Sequence, residues 1–556
     1  MNATSLETFR LLTPEIVLVL AALVAYLGGA FAGLRFGWLV AAAGIVAAMA
    51  VTRGQAADPV FSAGVTIDAF SGFIRWTVLT LGFLLCMVQS GDLFASAVSR
   101  GPGLHRGGTC EEAGTFLLLL AGLSLVGVAG DLVLLFAGLE LVSIPTYILL
   151  GLKRNDARGQ EASLKYFFLS LVASAIFLYA LVCLYGIGGS TDLQAIASRL
   201  QAEAASSRTV QVLLPLAIGM AIVGAAFRLA AVPMHFYAPD VYEGTSPGNA
   251  ALLSTLPKVA GIVILARLVA LVGSGTSPEL FWRVAVVLAA VTMTVGNVMA
   301  LWQKNLRRLL ACSSIAHAGY LLVGIAVAAA AAVPGTAAAD DRSSWLFAAG
   351  GISATLFYLS TYALATIGLF GGIAYLGHRW PEWISGSGPR PPREEITTVD
   401  DLDGLSSTNP VAAFALAVFL LSLAGIPPLP GFWGKLSLAV STLEIDWNSP
   451  ITPGSRRCWF VGLAVVLVIN AAIAAAYYLR IIAAMYFKTT KRGVQADGGL
   501  AGGLAMLACL ALVGIVMIQP RGLFTAASRA GESLAPQTVA PAARLSITPE
   551  SIVTTP

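Results

Sequence analysis

Five ionisable side chains lie inside long apolar segments of the sequence and are the first candidates for chemistry. They are Glu140, Lys165, Arg228, Lys258 and Lys435. An isolated charge at the centre of a bilayer costs about 2.5–3.5 kcal/mol on insertion scales. Unpaired and dry, the five would cost on the order of 10 kcal/mol or more, which exceeds typical net fold stability. We therefore expect pairing, water or altered protonation to relieve that cost, and such residues suit a path for ions through a membrane.

These side chains differ in how readily they exchange a proton. A buried lysine can hold or release a proton, because desolvation and neighbouring charges change the stability of its charged form. A nearby carboxylate such as Glu140 would raise the pKa of the lysine by stabilising that charged form. Arg228 could act only as a fixed charge, since guanidinium keeps its proton in proteins. The alternative for each is a structural ion pair or a long side chain that reaches the interface. That alternative is strongest for Lys165, four residues after Glu161.

Two histidines and two carboxylates lie in or near the same segments. His235 closely follows the proline break after Arg228, and His317 lies in CSSIAHAGY. Each histidine is open to two interpretations, a hydrogen-bonded structural residue or a relay for protons. Asp240 and Glu243, in APDVYEG, are expected to lie in a polar turn and to help cap it.

The composition indicates a membrane protein. The chain has 556 residues, of which 57% are hydrophobic and 11% are charged. Apolar runs close to the roughly 20 residues that cross a bilayer recur from Pro14 to Pro520. The runs are continuous rather than alternating, which favours helices over a barrel. The net charge of +4 and six scattered cysteines without a C-x-x-C pair support neither a nucleic-acid-binding domain nor an iron–sulfur or zinc site.

The apolar runs predict about fourteen transmembrane helices. The first six predicted spans are Pro14–Gly33, Phe36–Val51, Phe70–Gly91, Ala113–Gly130, Asp131–Leu150 and Glu161–Ile187. The seventh and eighth meet in the stretch Ala226–Lys258. The remaining six are Phe281–Trp302, Leu309–Ala332, Trp345–Leu376, Pro410–Leu443, Trp459–Phe487 and Leu500–Ile518. The tail from Arg521, rich in Ala, Pro, Ser and Thr, is predicted to be disordered.

Proline-rich segments, VPMHFYAPD and GIPPLPGFWGK, break the seventh and twelfth spans. The two broken spans are five apart and so cross in opposite directions, which indicates inverted repeats with a site near mid-membrane. Lysine and arginine concentrate in one set of alternate loops, which the positive-inside rule places in the cytoplasm, with both termini on the opposite side. The first run lacks a basic leader, with Glu7 before Arg10, and is expected to remain as a span.

Several long motifs resemble one known family. FRLAAVPMHFYAPDVYEGTSP, LPKVAGIVILAR, SSIAHAGYLLVG, FYLSTYALATIGLF and LAGIPPLPGFWGKL together resemble the antiporter-like membrane subunits of proton-pumping NADH:quinone oxidoreductase, respiratory complex I. VPMHFYAPDVYEG and LFAGLELVSIPTYILLG are most similar to the chain N type. The resemblance covers about Pro14 to Ile518, and its motifs keep their order along the chain.

The resemblance implies an all-α polytopic membrane protein of about fourteen spans, with two inverted five-helix repeats and broken seventh and twelfth helices. Helices 1–3 and a loop would occupy residues 1–112, the first repeat 113–275, the second repeat 276–490, the last helix 491–520 and a disordered tail 521–556. The predicted proton pathway consists of Glu140, Lys165, Arg228, His235, Lys258, His317 and Lys435. The family usually has lysine at the position of Arg228. Arg228 would then keep only the positive charge of that lysine and not its reversible proton transfer, or the chain would move its protons through Lys165 and Lys258.

The resemblance also implies a function, partners and a location. The chain would move a proton from the cytoplasm across the cell inner membrane, driven by redox chemistry elsewhere in a large assembly. NADH, flavin, iron–sulfur clusters and quinone are expected in the partner membrane and peripheral subunits and not in this chain. GPGLHRGG has glycines but no strand–helix context for a dinucleotide, and no strand is expected.

Two other classes of protein stay open at this point. The first is a subunit of a multi-subunit sodium/proton antiporter, which shares the bundle and several lysines. Sodium would call for carboxylates and carbonyl oxygens along the route, and the spans offer mainly Glu140 and the carbonyls freed at the two breaks. The second is a structural membrane scaffold, in which Glu140 and Lys258 would be dispensable for transport.

Overall fold

The described residues of the computed structural model form twenty α-helices and a few short strands. The described ranges are 3–32, 36–55, 60–62, 64–99, 108–152, 157–203, 207–273, 278–332, 350–379, 394–446, 452, 454–489, 494–496 and 499–534. The helices are α1 Ala3–Leu11, α2 Thr13–Ala32, α3 Gly37–Arg53, α4 Ala69–Ser99, α5 Gly108–Val128, α6 Leu132–Leu152, α7 Ala157–Gly188, α8 Leu193–Glu203, α9 Arg208–Leu229, α10 Ala238–Gly244, α11 Pro247–Val272, α12 Pro278–Trp302, α13 Leu306–Ala331, α14 Gly351–Leu376, α15 Leu405–Thr408, α16 Pro410–Ala424, α17 Pro430–Glu444, α18 Arg456–Phe487, α19 Gly499–Ile518 and α20 Pro520–Ser533. A 3₁₀ helix covers Val399–Leu402.

The prediction of about fourteen spans is confirmed. Twelve helices of the described part of the chain are long and apolar enough to cross a membrane. The 17-residue α3 and the broken pair α16 and α17 supply the other two. Both predicted breaks are present, because α9 and α10 make up the seventh span and α16 and α17 the twelfth.

Three helices form the interior of the bundle. The apolar windows of α13 and α14 are buried along their whole length, and that of α11 is 89% buried. Helices of the periphery instead expose large apolar side chains, such as Leu164 and Phe168 on α7 and Val465 and Val468 on α18. An apolar outer face is what contact with lipid or with another membrane subunit requires, so functional side chains on the three inner helices are shielded from the bilayer.

The expectation that no strand would form is wrong for the loops. Strands β1 Val60–Ser62 and β2 Val65–Ile67 form an antiparallel hairpin. Strand β3 Gly377–Arg379 pairs antiparallel with both β4 Glu394–Glu395 and β5 Val494–Ala496. These strands lie between spans, where backbone groups have no helical partner and bond to a neighbouring loop instead. The sequence signal was weak because each strand has at most three residues.

The prediction of disorder from Arg521 is also wrong for the residues up to Leu534. Pro520 stands in the first turn of α20, a position that suits proline. Phe524 packs edge-on against Phe357 of α14, with ring centroids 5.5 Å apart, and the backbone N–H of Phe70 donates to Ser533 Oγ at 3.0 Å. These contacts with distant helices order a segment whose composition alone indicated disorder. Residues 535–556 of the predicted tail lie outside the described residues.

Both breaks begin with the same backbone motif. α9 is followed by Ala230 with a left-handed φ of 55°, and α16 by Gly425 with a φ of 86°. The hydrogen bonds are Ala230 N–H to Phe227 O at 3.0 Å, Ala231 N–H to Ala226 O at 2.8 Å, Gly425 N–H to Ser422 O at 3.0 Å and Ile426 N–H to Leu421 O at 3.1 Å. In each helix this Schellman motif supplies hydrogen bonds to two carbonyl oxygens of the last turn. The final carbonyl oxygens of the helix then have no backbone partner from the motif. The limits proposed for the two repeats stay a prediction.

Ala230 offers a test of this motif. An L-residue in the left-handed region costs about 1–2 kcal/mol, which glycine avoids. We expect Ala230→Gly to raise the free energy of unfolding by up to about 1 kcal/mol, seen as a higher thermal midpoint of tryptophan fluorescence. Ala225→Gly, a buried interior position of the same helix, is the matched control and should lower it by about 1 kcal/mol. Equal losses in both variants would contradict the assigned cap.

Candidate functional site

The first half of the site is a lysine that binds the free end of a broken helix. Lys258 is on α11, its exposed fraction is 1%, and its Nζ donates to the carbonyl oxygen of Leu229. Leu229 is the last residue of α9. Terminal carbonyls are the negative end of the helix dipole, so they stabilise a cation. The break therefore supplies an oxygen ligand for a charge that lipid would exclude.

The second half repeats this arrangement on the other broken span. Lys435 of α17 donates from Nζ to Leu423 O at 2.9 Å and to Ala424 O at 3.0 Å, at the end of α16. A Cβ on Gly425 would lie 2.9 Å from Cδ of Lys435, so the cap residue must be small. Lys435 Nζ also lies 4.8 Å from the ring centroid of Tyr320, a cation–π distance.

Arg228, at the end of α9, and Glu140 of α6 form a loose ion pair. Arg228 Nη2 and Glu140 Oε1 are 4.0 Å apart, with side-chain exposures of 5% and 28%. Arg228 Nη1 donates to Ser143 Oγ at 2.8 Å. Within the described part of the chain, Oε1 of Glu140 has no hydrogen-bond partner. The structure thus pairs Arg228 with Glu140, and Arg228 directly precedes Leu229, whose carbonyl binds Lys258.

Lys165 lies apart from these residues, in a cluster of charges at one end of the bundle. Its Nζ is 2.7 Å from both Glu161 Oε1 and Asp240 Oδ2. Asp240 Oδ1 is 2.9 Å from Arg308 Nη1, which is 2.8 Å from Glu243 Oε2. The structure therefore shows Lys165 in the ion pair that was the alternative interpretation, and a role in proton transfer stays a prediction.

The expected role of Asp240 and Glu243 in a polar turn is corrected by this cluster. Both residues lie within the short helix α10, not in a turn between spans. They join α10 to α7 through Lys165 and to α13 through Arg308. Sequence proximity favoured a local cap, whereas the partners that decide their role are more than sixty residues away.

The two predicted histidines have different surroundings. His317 is buried on α13, where Nδ1 is 2.6 Å from the Tyr358 hydroxyl and Nε2 is 2.9 Å from the Tyr478 hydroxyl. His235 is partly buried in the segment between α9 and α10, and its carbonyl accepts from Ala238 N–H at 3.1 Å. His317 therefore belongs to a hydrogen-bonded network of the interior, while the relay role of His235 stays a prediction.

Sequence reasoning missed a buried ion pair outside this site. Arg75 of α4 and Glu15 of α2 are 2.8 Å apart with side-chain exposures of 1% and 7%. Ser124 Oγ donates to the same carboxylate at 2.5 Å, and Gln55 accepts from Arg75 at 2.7 Å. Both residues lie inside predicted spans, so the cost of a charge in the bilayer, which singled out Glu140, would also have identified them. The tyrosines around His317 gave no comparable signal, because aromatic residues are common in packed helices.

The described residues were also compared with the ligand sets that metal ions need. No group of three His, Cys, Asp or Glu residues that could hold a metal occurs in the described ranges. None of the six cysteines, all of which lie in the described ranges, forms a disulfide, and five of them are buried. Protons held on lysine, histidine and hydroxyl groups are the chemistry that the arrangement supports.

Two broken helices, each with a buried lysine on the carbonyls freed at its break, are typical of antiporter-like, ion-translocating membrane subunits. A family model described as "NADH:quinone oxidoreductase/Mrp antiporter, TM" matches residues 129–338 and 344–455. The chain belongs to this family and, within it, to the proteins named NADH-quinone oxidoreductase subunit N.

Relatives and solved structures support this placement over nearly the whole chain. Subunit N of Myxococcus xanthus is 34% identical, with 93% of this chain and 96% of the relative covered. Subunit N of Desulfovibrio desulfuricans is 34% identical, covering 92% and 94%. A chain of respiratory complex I from Thermus thermophilus has a TM-score of 0.70 at 25% identity, covering 93% and 99%. A chain of the Mrp complex from Dietzia, at 23% identity, 95% and 98% coverage and a TM-score of 0.70, shares the fold.

The Glu15–Arg75 pair gives a test of stability that is separate from the site. Arg75→Met would leave a buried carboxylate unpaired, and breaking a buried pair costs about 3–5 kcal/mol. We expect a much lower yield of folded chain and a lower thermal midpoint. Arg283→Met is the matched control, because its partner Glu279 is 52% exposed, and such surface pairs contribute about 0–1 kcal/mol. Equal effects of the two changes would show that the Glu15–Arg75 pair is not structural.

Proposed function

We propose that this chain translocates protons across the cell inner membrane as a subunit of NADH:quinone oxidoreductase. One observation carries the proposal: Lys258 and Lys435 each place a buried ammonium group on the carbonyl end of a broken helix. NADH, flavin, iron–sulfur clusters and quinone would be bound by partner subunits, whose redox chemistry drives the transfer. The chain's own residues hold the proton, position it and release it.

The charges of Arg228 and Glu140 suggest how release of the proton from Lys258 is controlled. Arg228 keeps its charge, so it repels a protonated Lys258 unless Glu140 screens it. Arg228 and Glu140 are 4.0 Å apart. At that distance their charges attract each other by about 4 kcal/mol at an effective dielectric constant near 20. A shift of Glu140 towards Arg228 would favour a charged Lys258, and a shift away would favour proton release. Glu140 is partly exposed on its side of the bundle, so a neighbouring subunit could move it.

The carbonyl oxygens at the breaks also bear on the sodium/proton antiporter alternative. Sodium would need those oxygens and nearby carboxylates as ligands. In the described structure they are occupied by ammonium groups. The arrangement therefore favours protons as the transported ion.

Substitution of Lys258 tests the proposal directly. We expect Lys258→Ala to lower NADH-driven proton uptake into inverted membrane vesicles at least tenfold per assembled complex. Lys258→Arg should be nearly as defective, because it keeps the charge but cannot release a proton. Assembly is checked by purification through a tag on this chain, with flavin and iron–sulfur subunits expected to co-purify. Normal pumping by either assembled variant would favour a scaffold, and co-purification of small membrane subunits alone would favour the sodium/proton antiporter.

Arg228 tests the fixed-charge role. Arg228→Lys keeps a cation next to Leu229, so we expect proton uptake within about twofold of the parent. Arg228→Ala removes the charge that destabilises protonated Lys258 and leaves Glu140 without its partner, and it should lower uptake several-fold or more. The same vesicle assay, normalised to assembled complex, measures both variants. A fully active alanine variant would show that the charge at this position is not needed.

A further inference from the structure

Two buried amide side chains join three helices at one end of the bundle. Asn249, in the first turn of α11, accepts at Oδ1 from Nε2 of Gln89 of α4 at 2.9 Å. Its Nδ2 donates to the carbonyl oxygen of Leu149 of α6 at 2.9 Å. Both amide residues are buried. An amide that is bonded on its oxygen and on its nitrogen has a fixed orientation, so we call this arrangement the amide clamp.

The amide clamp binds a group that α6 cannot satisfy by itself. Leu149 is one of the last four residues of this helix, whose carbonyl oxygens have no partner within the helix. The backbone of Asn249 is fixed in turn, because its N–H donates to Oγ of the N-cap residue Ser246 at 3.3 Å. A Cβ on Gly248 would lie 2.8 Å from Oε1 of Gln89, so α11 also approaches α4 closely here. The end of α6 is therefore tied to the start of α11 at a close contact with α4.

The amide clamp lies at equal distances along α6 and α11 from two residues of the candidate site. Glu140 is nine residues before Leu149 on α6, and Lys258 is nine residues after Asn249 on α11. At a rise of 1.5 Å per residue, each lies about 13 Å along its helix from the clamp. Because α6 ends at the clamp and α11 begins there, a slip of either helix would change the depth of one ionisable residue relative to the other.

Both helices also meet the end of α9, where the seventh span is broken. Glu140 of α6 lies 4.0 Å from Arg228, and Lys258 of α11 donates to the carbonyl oxygen of Leu229, the next residue. With the amide clamp, these contacts close a ring through α6, α9 and α11. A separation of 4.0 Å is too long for a good hydrogen bond. The bonds of the Glu140–Arg228 pair do not set its length, so the positions of the helices must do so.

We propose that Asn249 and Gln89 are positioning residues for the release of the proton from Lys258. The amide clamp holds α6 against α11, and this fixes the separation at which Glu140 screens the charge of Arg228. Neither amide touches the transferred proton, so both act through Glu140. The inference rests on the proposed function and adds to it the contact that sets the strength of the Glu140–Arg228 interaction.

A second buried amide pair provides a matched control. Asn470 of α18 accepts at Oδ1 from Nδ2 of Asn297 of α12 at 2.9 Å, and its own Nδ2 donates to Thr294 Oγ1 at 3.2 Å. Like Asn249, it is a buried asparagine that joins neighbouring helices. None of the seven residues predicted for the proton pathway is on α12 or α18. Its loss should therefore lower stability without altering the separation of Glu140 from Arg228.

The first experiment compares Asn249→Leu, Gln89→Met and the control Asn470→Leu in the assembled complex. A misplacement of about 1 Å can cost up to about 10²-fold in rate, so we expect Asn249→Leu to lower proton uptake per NADH oxidised about threefold to tenfold. Its pH profile should move, because Lys258 then titrates against a displaced Glu140. Gln89→Met keeps the bond to Leu149 and should have a smaller effect. Asn470→Leu should lower the thermal midpoint but keep the pH profile and the uptake per NADH.

The second experiment places Asn249→Leu in a Glu140→Gln background. Changes at independent sites act additively in free energy, so their losses of uptake multiply. If the amide clamp acts through Glu140, the double variant should pump within about twofold of Glu140→Gln alone. If Asn249→Leu does not assemble, Asn249→Ala removes the same two hydrogen bonds without adding bulk and is read by the same criteria.

The outcomes separate the amide clamp from the proposed function. Multiplied losses in the double variant, or a pH profile that Asn249→Leu leaves unchanged, would overturn the positioning role. An equal shift of the pH profile in Asn470→Leu would overturn it too, since any lost amide pair would then have the same effect. With Lys258→Ala inactive, the proposed function would remain in place in each of these cases. Normal uptake in assembled Lys258→Ala would overturn both.

Discussion

The structure depends on one interaction, a lysine ammonium group bound to carbonyl oxygens that a helix leaves free where it stops. Lipid offers no partner for such a charge, so the protein supplies one by ending a helix inside the membrane. That requirement explains the left-handed residue after α9 and after α16, and the absence of a side chain at Gly425. It also accounts for the burial of α11, because the ammonium group of Lys258 on this helix must be kept from lipid.

Geometry distinguishes buried charges that only stabilise the fold from charges that could respond to a change in their surroundings. The carboxylate of Glu15 has two hydrogen bonds from Arg75 and one from Ser124, so it has little reason to move. Glu140 is partly exposed and lies 4.0 Å from Arg228, beyond a good hydrogen bond. A pair with unused bonding capacity can respond to a neighbouring subunit at low cost, whereas a saturated pair cannot.

The sequence predicted the spans and both breaks because those features are local. Length and continuous hydrophobicity define a span, and proline-rich segments mark a break. Partners could not be predicted in the same way. Asp240 was expected to act within its own turn, but Lys165 and Arg308 come from other helices. The prediction of disorder was wrong at α20 for the same reason, since the order of this helix depends on contacts with α4 and α14 rather than on its composition.

The position of His317 shows why the centre of such a protein is better built from neutral groups than from charges. Lys258 is on α11 and Lys435 is on α17, in a medium where like charges repel more strongly than in water. A third permanent cation between them would oppose protonation of both. Tyrosine, serine and neutral histidine add no charge, yet each can accept a proton on one side and give one on the other. Neutral groups at the centre therefore leave the electrostatic surroundings of each lysine undisturbed.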